Sequence, residues 1–307
     1  MNLQKIMLGD EYGSLVVTAV ASTLIIVVAS WMLKTRPILI NGCYAVVISL
    51  AILAFSRLVN RSVLETFELL LKMLIGSEGD SWNRVYTILF WLANVIVSIM
   101  FCVYVASTGE SSTVHRKFFH LTVSLIYISG VLRDPQFSWL CAWLWLCIFI
   151  LTEVLRYLNV PPWGAVLNEH LLIFKDAQDS ELLLTPIYLL VGIFLPLMLS
   201  NNVGESSFEP SLAHFAGVAA VGVGDSMAAI VGSNWGKTKW TESKKSLEGT
   251  LAMLFSMLVF LLIMNVYVAK SSSVFSIIAA SLVASFLEAV LKTMDNFILP
   301  IVTYLIL

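Results

Sequence analysis

From Val221 the chain reads Val-Gly222-Val-Gly224-Asp225-Ser226-Met-Ala228-Ala229-Ile-Val-Gly232-Ser-Asn-Trp-Gly236-Lys237-Thr238-Lys239, and six residues later Lys245-Ser246-Leu-Glu248-Gly249-Thr250. Glycines let backbone N–H groups approach an anion, and Lys237, Lys239, Lys244 and Lys245 add counter-charge. Ser and Thr hydroxyls add donors, so the set suits a nucleoside triphosphate. Asp225, at the apolar end, is a carboxylate of the kind that holds a magnesium ion bridging phosphate oxygens. The same residues also read as a glycine-permitted helix contact followed by a solvated basic loop that sets topology. Two familiar nucleotide motifs are excluded. Gly232-Ser-Asn-Trp-Gly236-Lys237-Thr238 is one residue short of P-loop spacing and follows no buried strand, and Gly222-Val-Gly224 lacks the third glycine of a dinucleotide fingerprint.

Two further regions place ionisable groups in or beside apolar runs, where an unpaired charge costs several kcal/mol. Glu288, Lys292 and Asp295 recur at spacings that put them on one helix face. They form either a local Glu–Lys pair capped by Asp295-Asn296, or carboxylates that meet Asp225 and share a metal. His115-Arg116-Lys117-Phe118-Phe119-His120 enters another apolar run and reads as a phosphate-binding group or as an interfacial basic-aromatic anchor. The acids of Lys175-Asp176-Ala-Gln-Asp179-Ser180-Glu181 bind metal or are solvated. His170 and His214 have no partner spacing and are read as structural.

The elements that must carry these groups are apolar. Hydrophobic residues make up 59% of 307 and charged residues 12%, and mean hydropathy is +0.89. Soluble domains run at about 45–50% apolar and 25% charged, so the solvent for most of this chain is lipid. A net charge of −2 gives no reason to expect nucleic acid. Cys43, Cys102, Cys141 and Cys147 lie in apolar runs without metal-ligand spacing and read as small buried hydrophobes. The first apolar run, after Asp10-Glu11, is long enough to span, so no cleavable signal is expected.

A span needs about 20 apolar residues. That length predicts an all-α transmembrane bundle of about ten spans, near 14–33, 38–56, 85–106, 119–133, 137–155, 182–199, 211–231, 249–268, 274–291 and 296–307. Excess Lys and Arg follows alternate spans, which puts the basic loops in the cytoplasm and both termini on the other side. Residues 57–84 carry four basic and four acidic residues around Leu58, Leu64, Phe67, Leu70, Leu71 and Leu74 at helical spacing, predicting an amphipathic helix at the surface. Asn60-Arg61-Ser62 is a glycosylation acceptor pattern against a span end.

Gly224-Asp225-Ser-Met-Ala228 through Gly232, Gly236-Lys237-Thr-Lys239 and Lys245-Ser246-Leu-Glu248-Gly249-Thr250 resemble the signature of CTP-dependent polyprenol kinases, a family that includes phytol kinase and yeast-type diacylglycerol kinase. His115 to His120 resembles the family's second block. Asp179-Ser180-Glu181 with Leu184-Thr185-Pro186-Ile187-Tyr188-Leu189-Leu190 is most similar to the dolichol kinases. Order and spacing match from about residue 111 to the end, which divides the chain into N-terminal helices over 1–110 and a kinase-like region over 111–307. The resemblance implies transfer of the CTP γ-phosphoryl group to dolichol, a lipid partner, in the endoplasmic reticulum membrane, supporting protein glycosylation, with the nucleotide at the cytoplasmic membrane edge. By the same resemblance the nucleotide falls to Gly224, Ser226, Gly232, Gly236, Lys237, Lys239, Lys244, Lys245, Ser246, Glu248, Gly249 and Thr250, with Arg116 and Lys117. Asp225, Glu288 and His120 are the candidate catalytic groups, and Asp225 and Asp295 the candidate magnesium ligands. A transporter built on glycine-broken, acid-bearing spans is the alternative of another class.

Overall fold

A computed structural model describes residues 11–76, 81–109, 112–172, 175, 179, 181–200, 208–240, 245–268, 271–291 and 293–307. Lys244, Lys292, Asp176, Ser180 and the acidic stretch 201–207 lie outside these residues. Among the described residues the chain is helical, with one isolated β-bridge. The helices are α1 Glu11–Met32, α2 Pro37–Leu58, α3 Val63–Ile75, α4 Ser81–Thr108, α5 Thr113–Arg133, α6 Pro135–Tyr157, α7 Trp163–Leu171 and α8 Thr185–Met198. A 3-10 turn, Leu212–Phe215, leads into a π-helix, Val218–Asp225, and then come α9 Ser226–Asn234, α10 Leu247–Tyr267, α11 Val274–Val290 and α12 Asp295–Ile306.

Helical structure occupies all ten segments predicted to span. Six are long and apolar enough to cross a membrane: Glu11–Met32, Pro37–Leu58, Asn83–Thr108, Pro135–Tyr157, Leu212–Asn234 and Leu247–Tyr267. Large apolar side chains stand open on these helices, among them Leu24, Val28, Phe255 and Val259, as suits a surface solvated by acyl chains. The chain is a membrane protein. The other four segments differ in kind. α8, α11 and α12 have 14, 17 and 12 residues, and at about 1.5 Å per residue they fall short of a hydrocarbon core of about 30 Å. α5 has 21 residues but opens on His115-Arg116-Lys117. Among the described residues, six of the ten predicted segments are thus long, apolar spans, and about ten is a loose estimate of the number that cross.

The helices form two compact units. The first, Met1–Leu89 with Gln136–Ile187, packs α1 against α2 and closes over Phe55, Leu69 and Met73. The amphipathic helix predicted within 57–84 is α3. Ser62 and Glu65 start it with a reciprocal capping box, and Gly76, at φ +91°, ends it. Its inner face buries Thr66, Leu69 and Met73, while Leu64, Phe67, Leu71 and Leu74 stay exposed.

A buried ion pair fixes the far end of α6. Arg156 donates from Nε and Nη2 to the two carboxylate oxygens of Glu153 at 2.7 and 2.6 Å, and from Nη1 to Asn168 Oδ1 at 2.9 Å. Its Nη2 also reaches the Glu181 carbonyl at 2.7 Å, and Glu153 Oε1 accepts the Leu183 N–H at 2.7 Å. Asp179, one of the acids read as binding metal or solvated, does not face solvent. It is buried and accepts from Leu184 N, Thr185 N and Thr185 Oγ1 at 2.9, 3.1 and 2.8 Å. A carboxylate at the first turn of α8 satisfies N–H groups that have no intrahelical partner.

The second unit, Phe90–Pro135 with Tyr188–Leu307, packs the π-helix against α5, α10 and α12. Met253, Met257 and Leu261 of α10 and Val218 to Val221 of the π-helix are buried. His214 is structural here. Its Nδ1 accepts the Ser211 N–H at 2.9 Å, so the proton sits on Nε2, 2.6 Å from Ser200 Oγ, and its carbonyl accepts from Tyr127 Oη at 2.6 Å.

Candidate functional site

One end of the second unit gathers the ends of six helical segments and nearly all of its buried charge. The π-helix delivers Asp225 as its last residue. A π-turn holds one more residue than an α-turn, and such turns are frequent at functional sites. Asp225 is 6% exposed and pairs with Lys117 Nζ of α5 through a short contact. His120 lies one turn further along the same face of α5, with Nε2 3.6 Å from Asp225 Oδ2.

The basic-aromatic block therefore divides by face. Lys117 and His120 turn to Asp225, while His115, Phe118 and Phe119 pack on Phe101 at ring separations of 5.8, 4.2 and 5.8 Å. His115 also joins Ser112 in a cap, and Arg116 is half-buried. Both the anchor and the charged reading of this block find residues to carry them.

Glu288 and Asp295 do not share a helix face, as their spacing suggested. α11 stops at Val290, Met294 adopts a left-handed φ of +58°, and Asp295 begins α12. The turn brings the two carboxylates together differently, around Lys245, whose Nζ lies 3.0 Å from Glu288 Oε1 and 3.5 Å from Asp295 Oδ2. Lys245 also donates to the Glu288 carbonyl.

The basic stretch is pinned to the start of α10. Ser246 caps that helix by accepting the Gly249 N–H at 3.2 Å, and Lys239 pairs with Ser246 in the isolated bridge. Glu248 accepts the Thr238 N–H at 3.0 and 3.2 Å, and the Trp240 indole donates to Thr250 Oγ1 at 3.0 Å. Lys237 and Lys239 extend exposed from this frame. Gly232 and Gly249 bring α9 and α10 into backbone contact. A Cβ on Gly249 would lie 2.8 Å from the Ala228 carbonyl oxygen, and one on Gly236 2.4 Å from Ser246 Oγ. Gly224 likewise faces Met257 and Met253, and Ser226 reaches back to the Val221 carbonyl. The glycines thus serve the helix contact, and the loop they release is the one that carries the lysines.

The two carboxylate groups are within electrostatic reach of each other, since Glu288 senses both Asp225 and Asp295. Among the described residues no three His, Cys, Asp or Glu side chains surround a metal position. Magnesium usually takes one or two protein carboxylates together with substrate phosphates and water. The donor set fits a cation that arrives with a nucleotide, its protein ligands neutralised by lysines beforehand.

Sequence reasoning passed over Glu153, Arg156 and Asn296. The opposite charges three residues apart at a span end were a usable signal for the first two. Asn296 read only as part of a helix cap.

Buried carboxylates paired to lysines at helix ends, under an exposed basic loop, define an all-helical membrane protein with a polar centre suited to an anionic substrate. The chain belongs to the dolichol kinase family. The family profile described as dolichol kinase matches residues 5–191, so kinship extends through the N-terminal helices and not only from residue 111 onward. The chain is 34% identical over 241 residues to the dolichol kinase of Bos taurus, covering 73% of this chain and 45% of that protein. It is 33% identical to that of Homo sapiens over the same shares, and 28% identical to dolichol kinase EVAN of Arabidopsis thaliana over 75% of this chain and 41% of the relative. The chain thus spans about half the length of the curated relatives it matches. No solved structure matches.

Proposed function

We propose that the chain phosphorylates dolichol, transferring the γ-phosphoryl group of CTP to the lipid's terminal hydroxyl at the cytoplasmic face of the endoplasmic reticulum membrane, in support of glycosylation. The observation that carries this reading is the Asp225 centre, a buried carboxylate paired with Lys117, with His120 3.6 Å away, beside a lysine-bearing loop. In phosphoryl transfer the protein chiefly positions reactants and neutralises charge. The reaction breaks the bond from the γ phosphorus to the β–γ bridging oxygen and forms one to the lipid oxygen, whose proton must leave.

Lys237 and Lys239, with Lys244 beyond the described residues, reach the triphosphate from the loop. The loop from Gly236, the Ser246–Thr250 cap and Arg116 frame it. Asp225 and Asp295 are the residues that would hold magnesium, which when bound spreads charge off the phosphate oxygens. Lys117 and Lys245 keep those carboxylates neutralised until then. Glu288 sets the position of Lys245. His120 Nδ1 lies 3.2 Å from the Arg116 carbonyl, which only accepts, so Nδ1 carries the proton and Nε2 offers its lone pair to the hydroxyl. The kinase region lies within 111–307, and the lipid alcohol enters sideways between helices.

The test is phosphate transfer from γ-labelled CTP or ATP to dolichol by the purified chain, with phytol and diacylglycerol as competing acceptors. Label in dolichyl phosphate from CTP is the expected result, with Asp225→Asn reducing it by about a thousandfold, as loss of a preorganised charge typically does. Folded protein that labels no lipid would overturn the kinase reading and favour the transporter.

A further inference from the structure

Native proteins seldom bury polar atoms without hydrogen bonds, and each exception calls for an explanation. Two such atoms lie side by side at the Asp225 centre. His120 is 4% exposed, and its Nε2 has no hydrogen-bond partner. The Asn296 amide is next to the same ring, yet its Oδ1 is also buried and unpartnered. Neither is left so by looseness. His120 is oriented through Nδ1 by the Arg116 carbonyl, and α5 is held there against the π-helix, where a Cβ on Gly222 would fall 2.1 Å from Ser124 Oγ. Asn296 is seated by α8, where a Cβ on Gly192 would come within 2.0 Å of the Asn296 carbonyl oxygen.

With Nδ1 protonated, His120 Nε2 presents a lone pair. Asp225 Oδ2 lies 3.6 Å away and is also an acceptor. A phosphate oxygen brings only lone pairs and finds no donor in His120 Nε2 or Asp225. A hydroxyl brings one donor and one acceptor. Asn296 supplies the complement, because its amide faces the same ring and, once turned, points its NH2 into this corner, where a hydroxyl can accept from it while donating to His120 Nε2.

Resting on the kinase reading above, we propose that His120 and Asn296 seat the acceptor lipid's primary hydroxyl. The hydroxyl proton points to His120 Nε2, and the Asn296 amide donates to the hydroxyl oxygen. The nucleotide then has its own side of the centre, at the lysine loop. Phosphorylation removes the proton that His120 Nε2 accepted, so the product ester keeps the Asn296 contact and loses the other.

The test uses the purified full chain and a short-chain polyprenol, compared with its methyl ether, which keeps the chain and loses the O–H. The wild-type chain is expected to bind the alcohol about tenfold more tightly than the ether, the size of one buried hydrogen bond. Asn296→Leu is expected to abolish that preference and leave CTP binding within twofold, with the fold retained, because among the described residues the amide's hydrogen-bonding contact is with His120 alone. Asn296→Gln is expected to restore part of the preference. Asn296→Leu that keeps the preference overturns the proposal, as does a variant that loses stability and both ligands together, which marks a structural asparagine. A wild-type chain without the preference also overturns it. Wild-type protein that prefers the alcohol but transfers no phosphate overturns the kinase reading alone.

Discussion

Arg156 with Glu153 in the first unit, and Lys117 with Asp225 in the second, are both oppositely charged pairs taken out of water, with side chains 4%/11% and 12%/9% exposed. Around Arg156 the hydrogen bonding closes on itself. The guanidinium is matched by a bidentate carboxylate, an amide oxygen and a backbone carbonyl, and Glu153 takes an N–H in return. Around Asp225 it does not close, since among the described residues His120 Nε2 and Asn296 Oδ1 face each other without a hydrogen bond of ordinary geometry. A complete buried network rigidifies its surroundings, and an incomplete one keeps free energy available for a ligand. On the function proposed above the first is scaffold and the second is site, although composition alone would rank them equally.

The sharpest break of this contrast is the pair of substitutions Lys117→Met and Asp225→Asn made together. Removing both ends of a buried pair avoids leaving one charge stranded, so thermal stability should return toward wild type relative to Asp225→Asn alone, while phosphate transfer stays about a thousandfold down. Recovery of turnover along with stability would make Asp225 scaffold as well. Arg156→Met tests the other side. It strands Glu153 and should cost about 3–5 kcal/mol of stability, measured by chemical unfolding in detergent, with turnover per folded molecule preserved. A turnover loss greater than the loss of folded protein would mean that the Arg156 network also serves the reaction.

The smallest effect comes from a charge outside both clusters. The Glu65 carboxylate, hydrogen-bonded to the Ser62 backbone and side chain, titrates below its ordinary 4.5. Its contribution to α3 is therefore complete above the ordinary value and fades as pH falls through the depressed one. Amide exchange at Thr66 should quicken in that window, and Glu65→Gln should remove the pH dependence.

Much of this was written locally in the chain. Apolar runs fixed where helices form, and Asp225 stood out as an acid inside one. The pairing of Lys117 with Asp225 was not legible, because 108 residues separate them and nothing in spacing reports a contact between helices. Glu288 and Asp295 misled for a different reason. Their spacing assumed an unbroken helix, and a left-handed methionine leaves no glycine or proline to announce the turn. The Asp179 motif was visible as a family feature, but its role as a cap depends on where α8 begins.

The eight-residue π stretch from Val218 to Asp225 carries a consequence for how this chain tolerates change in length. A π-turn is an α-turn with one residue inserted. Deleting a single residue from that stretch would let it relax to ordinary winding and swing everything beyond it by about 100° about the helix axis. Asp225 would turn away from Lys117, though no residue at the site had been replaced. On the function proposed above, frame length within this segment matters to the reaction as much as the identity of the aspartate.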